Sequence, residues 1–490
     1  MGRKKSGESL VCLIPTSLMR YVSGIESSAV KDKVVHFLHI LVYHINSNYP
    51  DGEYYLKKPL DNKYLKAHYT DLYYKQVVLP LKAEGIIEVN DSYSTDFGYC
   101  KEYGFTKEYR DQITEDEVSE VPITKPTLIQ NIKEWRRGTL SRQIEKYPFI
   151  EQEADMLLHL NIDLDKLHYL HSQRLKRIKQ SDEKKKSTVI RQHNYYHQAI
   201  VQLTEAKDLL DAQVSITSGR VYHPFVNCPR EYRKAVVDEQ GQPYEEVDLR
   251  SSQAVFLCKV IAVALKHRLF TLRLHQPAIA VDRIIEQIIP HLNEPINLLE
   301  EDVYPSDFTA FIRAVFLDDI YEDASPKNLS QTASKQLNTE TLEIGGYRRV
   351  SGAKNLIGEE RERAKKKFFK EIFFNYFNKE NSGSEQQLSV SSEYLKDFYQ
   401  NYPSVAEFCR ICAAQSGEKK KKSRDLALLL QQTESKFFHE LLSAALSKLE
   451  PFNYFVVHDA VYVPQKHQEA VIEACNGVAV KSFGVSPQFR

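Results

Sequence analysis

Two aspartates in the C-terminal half, Asp248 and Asp459, each end a short apolar stretch that is typical of a β-strand. After Asp248 the chain turns through Arg250-Ser-Ser into an apolar helix predicted over 253–267. After Asp459 it turns at once into a second strand, so 454–464 is predicted to be a tight hairpin. Two carboxylates at neighbouring strand ends of one sheet can share a pair of divalent ions. Such ions, about 3.5–4 Å apart, stabilise the attacking and leaving oxygens of in-line phosphoryl displacement.

Magnesium is the ion that this donor set predicts, with manganese as the alternative. Mg²⁺ prefers a few carboxylate oxygens together with substrate phosphates over a cage made only of protein atoms. Two ions held by only two aspartates, Asp248 and Asp459, are therefore the expected arrangement.

A basic helix predicted in the same half supplies positive charge. Residues spaced by four positions share one helix face, and this face carries Arg361, Lys365, Phe369 and Phe373. Arg and Lys followed by two aromatic rings can hold a triphosphate at one end and stack a base at the other. A second register, with Arg363 and Lys367, has the same Arg-to-Lys spacing.

The order of these segments resembles the palm and fingers of family A DNA polymerases and of single-subunit RNA polymerases, over roughly residues 215–490. By this resemblance Asp248 matches motif A, the basic helix matches motif B, and His458-Asp459 matches motif C. The resemblance implies that both aspartates are catalytic metal ligands. It implies nucleotide contacts by Arg361, Lys365, Phe369, Phe373 and Gln253. It implies primer or template contacts by Arg220, Arg230, Arg233, Gln431 and His458.

Three positions depart from the family A pattern. Ala460 follows the motif C aspartate where those polymerases have Glu, Gln253 stands where a Glu excludes the 2′-hydroxyl, and Phe373-Phe374 replaces Tyr-Gly. Single-subunit RNA polymerases also lack both glutamates. Gln253 keeps enough length to clash with a ribose 2′-oxygen, which favours deoxynucleotides. We also expect no proofreading exonuclease.

The sequence therefore predicts a template-directed nucleotidyltransferase, a compact DNA polymerase of mobile-element or phage type. Its expected partners are a DNA template and nucleoside triphosphates, and the sequence identifies no particular protein partner. One alternative is an RNA polymerase or primase of the single-subunit class. Another is a non-catalytic DNA-binding protein of the replication-initiator type, but the presence of Asp248, Asp459 and Lys365 together favours the enzyme.

Four segments are predicted in an α+β multidomain fold. Three helices and then a hairpin in 1–120 predict a winged-helix-like domain. Segment 121–215 predicts a helical, thumb-like arm, since no Pro or Gly occurs from 150 to 213. The palm is predicted in 216–260 and 425–490, and the fingers in 261–424.

Composition excludes several classes of protein. The 490 residues include 66 Lys and Arg and 66 Asp and Glu, and the zero net charge excludes binding of nucleic acid by bulk charge. The apolar fraction of 42% excludes wholesale disorder. Seven cysteines do not indicate a disulfide scaffold. No segment predicts a signal peptide or a membrane span, so a cytoplasmic protein is expected.

Other metal-ligating residues in the sequence carry a weak signal. Cys409-Arg-Ile-Cys412 lacks the second pair of ligands that a structural zinc site requires. His193 and His197 are most simply interpreted as structural residues of a helix.

Overall fold

A computed structural model describes most of the chain. The described residues are 9–48, 57–92, 100–113, 117–179, 186–209, 211–269, 284–300, 303–316, 341–344, 347–350, 398, 400–414 and 424–489. They form a mixed helix and strand structure in two compact units. The first unit comprises 1–214 and 221–244, and the second comprises 215–220 and 245–490. The finer division into four domains stays a prediction.

The first unit is mainly helical, with short strands between the helices. Its helices are α1 Met19–Ser23, α2 Ser28–Asn48, α3 Asn62–Tyr69, α4 Leu79–Ala83, α5 Lys107–Ile113, α6 Pro126–Lys146, α7 Phe149–Leu158, α8 Leu164–Lys179, α9 Lys186–Thr204, α10 Ala206–Leu209, α11 Pro224–Asn227 and α12 Arg230–Arg233. Its strands are β1 Leu10–Pro15, β2 Lys58–Pro59, β3 Ile87–Asn90, β4 Glu102–Phe105, β5 Val118–Ile123, β6 Asn161–Ile162, β7 Gln213–Val214, β8 Val221–Tyr222 and β9 Val236–Val237.

An antiparallel pair, β1 and β5, joins the start of the described chain to residues more than a hundred positions later. Leu10 lies opposite Ile123 and Pro15 lies opposite Val118. The α2 residue Asp32 then accepts hydrogen bonds from the backbone N–H groups of Thr124 and Lys125, each at 2.8 Å. This carboxylate satisfies donors beside the N-terminus of α6, where negative charge is favourable.

The order predicted for a winged helix is present in the first segment of the unit. Helices α2 and α3 and a third helical stretch, a π-helical turn at Tyr74–Val78 that continues into α4, precede the antiparallel strands β3 and β4. Strand β2 pairs with the other edge of β4. The hydrophobic core of this segment extends from β1 through α6 and also includes Val201 of α9 and Leu209 of α10. The assignment as a winged helix stays a prediction.

The second unit contains the C-terminal part of the chain. Its strands are β10 Tyr244–Asp248, whose first residue belongs to the first unit, β11 Thr341–Ile344, β12 Tyr347–Val350, β13 Phe455–Val457 and β14 Ala460–Pro464. Its helices are α13 Ser252–Lys266, α14 Ile284–Ile288, α15 Ser306–Phe316, α16 Pro403–Ala414, α17 Arg424–Ser435, α18 Ser443–Leu446 and α19 Gln468–Phe483. A π-helical turn, Lys436–Leu442, joins α17 to α18.

Helix α13 is the central helix of this unit, and the sequence predicted it within one residue at each end. It is buried along most of its length. No helix in the described part of the chain combines the length and the apolar character needed to span a bilayer.

A lysine lies inside this apolar helix. Lys259 is 2% exposed, and its Nζ donates to the backbone oxygens of Glu294 at 2.6 Å and Ser482 at 2.9 Å. The ring centroid of Phe483 lies 5.4 Å from the same Nζ. Burial lowers the pKa of Lys259 to about 8, while the two carbonyl oxygens accept two of its three ammonium N–H donors.

The pKa of Lys259 predicts how stability depends on pH. The folded-state pKa of about 8 lies below the ordinary value of 10.5. Between these pH values the unfolded chain binds a proton that the folded chain lacks, so stability from this group rises with pH across that window, by up to ~3 kcal/mol. Urea unfolding at pH 8 and pH 10 should show the rise in the wild type and its loss in Lys259→Met.

The exposed lysine Lys448 provides the matched control in the same unit. Lys448→Met should retain the rise of the wild type, since that side chain is not desolvated by folding. Equal pH dependence in the wild type and Lys259→Met would contradict the prediction.

Candidate active site

A three-stranded sheet in the second unit carries both aspartates that the sequence identified. Its strand order is β10-β14-β13. Asp248 is the last residue of β10, and Asp459 lies in the two-residue turn between β13 and β14. Both residues are half-buried. The prediction that the two aspartates stand at the ends of adjoining strands of one sheet is therefore confirmed.

The hairpin forms because its strands are apolar and its turn is short. Every residue of β13 and β14 is buried, and Val457 pairs directly with Ala460. A two-residue hairpin turn requires left-handed backbone, and His458 supplies it with φ of 58°. His458 therefore holds the turn that presents Asp459.

Backbone contacts fix the turn after Asp248 against both the hairpin and a later segment. The N–H of Leu249 donates to the backbone oxygen of Asp459 at 3.0 Å. Leu249 also forms an antiparallel bridge with Phe489. The N–H of Arg250 donates to the oxygen of Gln488 at 3.0 Å, and its Nη1 donates to Gln488 Oε1 at 2.6 Å.

Ser252 is a site residue that the sequence analysis did not identify. Its Oγ donates to Asp459 Oδ2 at 2.6 Å, and the residue is 5% exposed. A short hydrogen bond to a charged acceptor orients that carboxylate. The available signal is the Arg250-Ser-Ser sequence beside Asp248, which by itself predicts only a turn.

Two residues with left-handed backbone lie close in sequence to the two aspartates. Among the described residues other than glycine, four have positive φ, and two of them are Ser251, at 57°, and His458. Ser251 is the residue before α13, three positions after Asp248. Left-handed backbone at such residues costs about 1–3 kcal/mol and is found preferentially where function requires a fixed geometry.

Arg220 lies within the second unit and is committed to an internal ion pair. Its Nη2 and Nε lie 2.6 Å and 2.8 Å from Glu434 Oε1. The side chain of Glu434 is 1% exposed, and that of Arg220 is 15% exposed. The role of Arg220 at a primer or template stays a prediction, and the ion pair shows that this residue also holds the protein together.

Two further hydrogen bonds attach the residues just before Arg220 to α17. Ser435 Oγ donates to the backbone oxygen of Gly219 at 2.5 Å, and Gln432 Nε2 donates to the oxygen of Thr217 at 2.8 Å. Gly219 has φ of 71°, and a Cβ there would lie 3.2 Å from Ser435 Oγ, so this position favours glycine. Gln431 is half-buried on the same helix. Its template contact stays a prediction.

Arg230 and Arg233 belong to the first unit. Arg230 is exposed at the start of α12. Arg233 instead donates to backbone oxygens, from Nε to Phe225 at 3.1 Å and from Nη2 to Val226 at 2.9 Å. Arg233 thus anchors the chain around α11, which is a structural role beside the one predicted.

The remaining predicted residues lie at the start of α13 or outside the described residues. Gln253 is in the first turn of α13 and is half-buried. The motif B set falls outside the described residues, and its members are Arg361, Lys365, Phe369 and Phe373.

Comparison with known proteins gives distant likenesses to solved structures. No protein-family model and no curated protein matches the chain. A solved structure with some similarity is the polymerase domain of Pol1 from M. smegmatis in complex with a DNA primer-template and dNTP. The similarity covers 70% of this chain and 68% of that chain, with 12% sequence identity and a TM-score of 0.37. A likeness of this degree does not identify the function, which is therefore inferred from the residues of the site.

The ion pair between Arg220 and Glu434 predicts that Arg220 contributes more to stability than Arg230 does. Arg220→Ala leaves the buried Glu434 carboxylate without its cation, which should lower the free energy of unfolding by about 3–5 kcal/mol. Urea unfolding measures this loss. Arg230→Ala removes an exposed guanidinium of the same predicted set and should cost less than about 1 kcal/mol. Similar losses in the two variants would contradict a buried structural role for Arg220.

Proposed function

We propose that this chain is a template-directed nucleotidyltransferase that adds nucleotides to DNA, with Asp248 and Asp459 as its catalytic metal ligands. The observation that supports this most directly is the placement of both aspartates at adjoining strand ends of one sheet. One of them is oriented by a buried serine, Ser252. Paired carboxylates on a rigid sheet are suited to holding two ions beside a phosphate.

The donor set fits Mg²⁺, with Mn²⁺ as the alternative. Both aspartates are half-buried, so each carboxylate keeps access to water and substrate. Mg²⁺ typically takes one or two carboxylates, several waters and phosphate oxygens. When bound, such ions polarise the phosphoryl group and lower the pKa of an attacking hydroxyl.

Two residues beside Asp459 have positioning tasks in this proposal. Ser252 holds the carboxylate in one orientation through its 2.6 Å hydrogen bond. His458 presents the same aspartate through its left-handed backbone. Ser252 acts on the geometry of a ligand rather than on the substrate, and His458 has this task in addition to the DNA contact assigned to it.

The substrate contacts of the proposal come from the residues that the resemblance identified. Lys365 and Arg361 bind the triphosphate, and Phe369 and Phe373 stack on the base. DNA is contacted mostly at phosphate and sugar, and the residues assigned to it are Arg220, Arg230, Arg233, Gln431 and His458.

Replacing either aspartate tests the chemistry. Asp248→Asn and Asp459→Asn keep the side-chain shape but remove the negative charge that a divalent ion requires. Extension of a primed template with Mg²⁺ should fall below detection in both variants, while DNA binding, measured by fluorescence anisotropy, should change less than about threefold.

Glu245 gives a matched control for these substitutions. It is an exposed carboxylate of β10 on the strand face opposite Asp248. Glu245→Gln makes the same chemical change as the two Asn variants and should retain wild-type extension. Full activity in either Asn variant would rule out the two-ion assignment, and loss of activity in Glu245→Gln would show that the assay reports damage to the strand.

Gln253 tests the choice of sugar. A long side chain at this position excludes a 2′-hydroxyl by bulk, and an amide does so less strongly than a tethered carboxylate. Gln253→Ala should raise the efficiency of ribonucleotide use relative to deoxynucleotide use by about tenfold, while DNA synthesis continues. Single-nucleotide insertion with dNTPs and NTPs in parallel measures the ratio. Exclusive use of NTPs by the wild type would instead indicate the RNA polymerase or primase alternative.

A further inference from the structure

Three histidines of the helical arm lie close together in the first unit. His171 is on α8, and His193 and His197 are one turn apart on α9. One ring nitrogen from each lies within 4.8 Å of the other two. The ring centroids of His171 and His193 are 4.9 Å apart, and those of His171 and His197 are 5.6 Å apart. Two packed helices thus bring three imidazoles together.

Hydrogen bonds around this cluster orient two of the rings. His171 Nδ1 lies 2.8 Å from the hydroxyl of Tyr232, a fully buried side chain. His197 Nε2 lies 2.6 Å from Glu120 Oε1. A histidine that ligates a metal usually donates its other ring N–H to an oxygen in this manner, which fixes the tautomer and leaves the second nitrogen available.

The third histidine supplies an independent observation. His193 is 6% exposed, and its Nδ1 has no hydrogen-bond partner among the described residues. A buried polar atom without a partner is costly, and a bound ion is one of its explanations. Burial lowers the pKa of both His171 and His193 to about 4, so both rings are neutral near pH 7.

Charges of both signs lie near the cluster. Besides burial, the positive charge of Arg174 lowers the pKa of His171 and His193 and so opposes a cation. This charge is partly neutralised by Glu231, whose Oε1 lies 2.7 Å from Arg174 Nη1. The Arg174 guanidinium also stacks on Tyr196, 3.2 Å from the ring centroid. Glu120 adds a carboxylate behind His197.

We propose that His171, His193 and His197 form a binding site for a divalent transition-metal ion, with Zn²⁺ as the ion that the ligands fit best. Imidazole nitrogens suit Zn²⁺, and three protein ligands leave one position for water. Zn–N bonds of about 2.0–2.1 Å require the nitrogens to approach to about 3.3 Å, so the rings rotate slightly inward on binding. The ion joins α8 to α9.

The other histidine cluster is a weaker candidate. Glu294 accepts hydrogen bonds from His291 Nδ1 at 2.6 Å and His267 Nε2 at 2.9 Å, and Lys266 Nζ lies 3.2 Å from its Oε2. These donors already satisfy the carboxylate, and the lysine places a positive charge where an ion would bind.

Zinc titration of the metal-depleted full chain, in competition with a chromophoric chelator, tests the site. The wild type should bind one tight equivalent. His171→Gln and His193→Gln should each weaken the binding of that equivalent at least ~100-fold, because each removes a ligand. Tyr232→Phe keeps all three ligands but removes the hydroxyl beside His171, and it should weaken binding about 10–100-fold. Circular dichroism checks whether each variant is folded. If a histidine variant is unfolded, the result for Tyr232→Phe decides the test.

Three control variants test whether the tightly bound zinc ion lies at this histidine cluster. His168→Gln alters an exposed histidine of α8, and His267→Gln alters the weaker cluster. The double variant of Asp248→Asn and Asp459→Asn removes the ligands of the proposed catalytic ions. All three should retain the tight equivalent. Absence of a tight equivalent in the wild type, or its persistence in folded His171→Gln and His193→Gln, would overturn the proposal without affecting the proposed polymerase chemistry.

Discussion

The candidate site depends on backbone pairing between β10 and the hairpin of β13 and β14. This pairing places the turn after Asp248 beside Asp459, and the hydrogen bond from Leu249 to the oxygen of Asp459 fixes their relative position. A sheet is a suitable platform because its ladder satisfies the backbone and its apolar side chains lock the strands in place. Any chemistry at this site therefore depends on main-chain geometry as much as on two side chains.

Local features of this site were predictable from sequence. The hairpin follows from two short apolar stretches separated by His458-Asp459, and α13 follows from a long apolar run after the two serines. The long helices α8 and α9 follow from the absence of Pro and Gly between 150 and 213. In each case the signal lies within a few neighbouring residues.

Contacts between distant residues were not predictable in the same way. The pairing of β1 with β5 involves an N-terminal apolar run that contains no signal for its partner strand. In the sequence, Ser252 belongs to an apparent turn, and only the fold shows that it lies beside Asp459. Arg220 had the residue type of a phosphate contact, yet Glu434, far along the chain, accepts its hydrogen bonds. A sequence specifies such partners only through the complete fold. Arg220 and Arg233 each direct several N–H donors at internal oxygens, so a count of basic residues overstates the charge that is available to a polyanion.

The separation in sequence between Ser252 and Asp459 has a consequence for folding. These residues are 207 positions apart, yet their side chains are in contact. Synthesis adds about 5–20 residues per second, and β10 is made well before the hairpin of β13 and β14. The sheet can form only after the hairpin has emerged. A nascent chain therefore passes through a period of roughly ten seconds or more in which the edge of β10 that will pair with β14 is open to other strands.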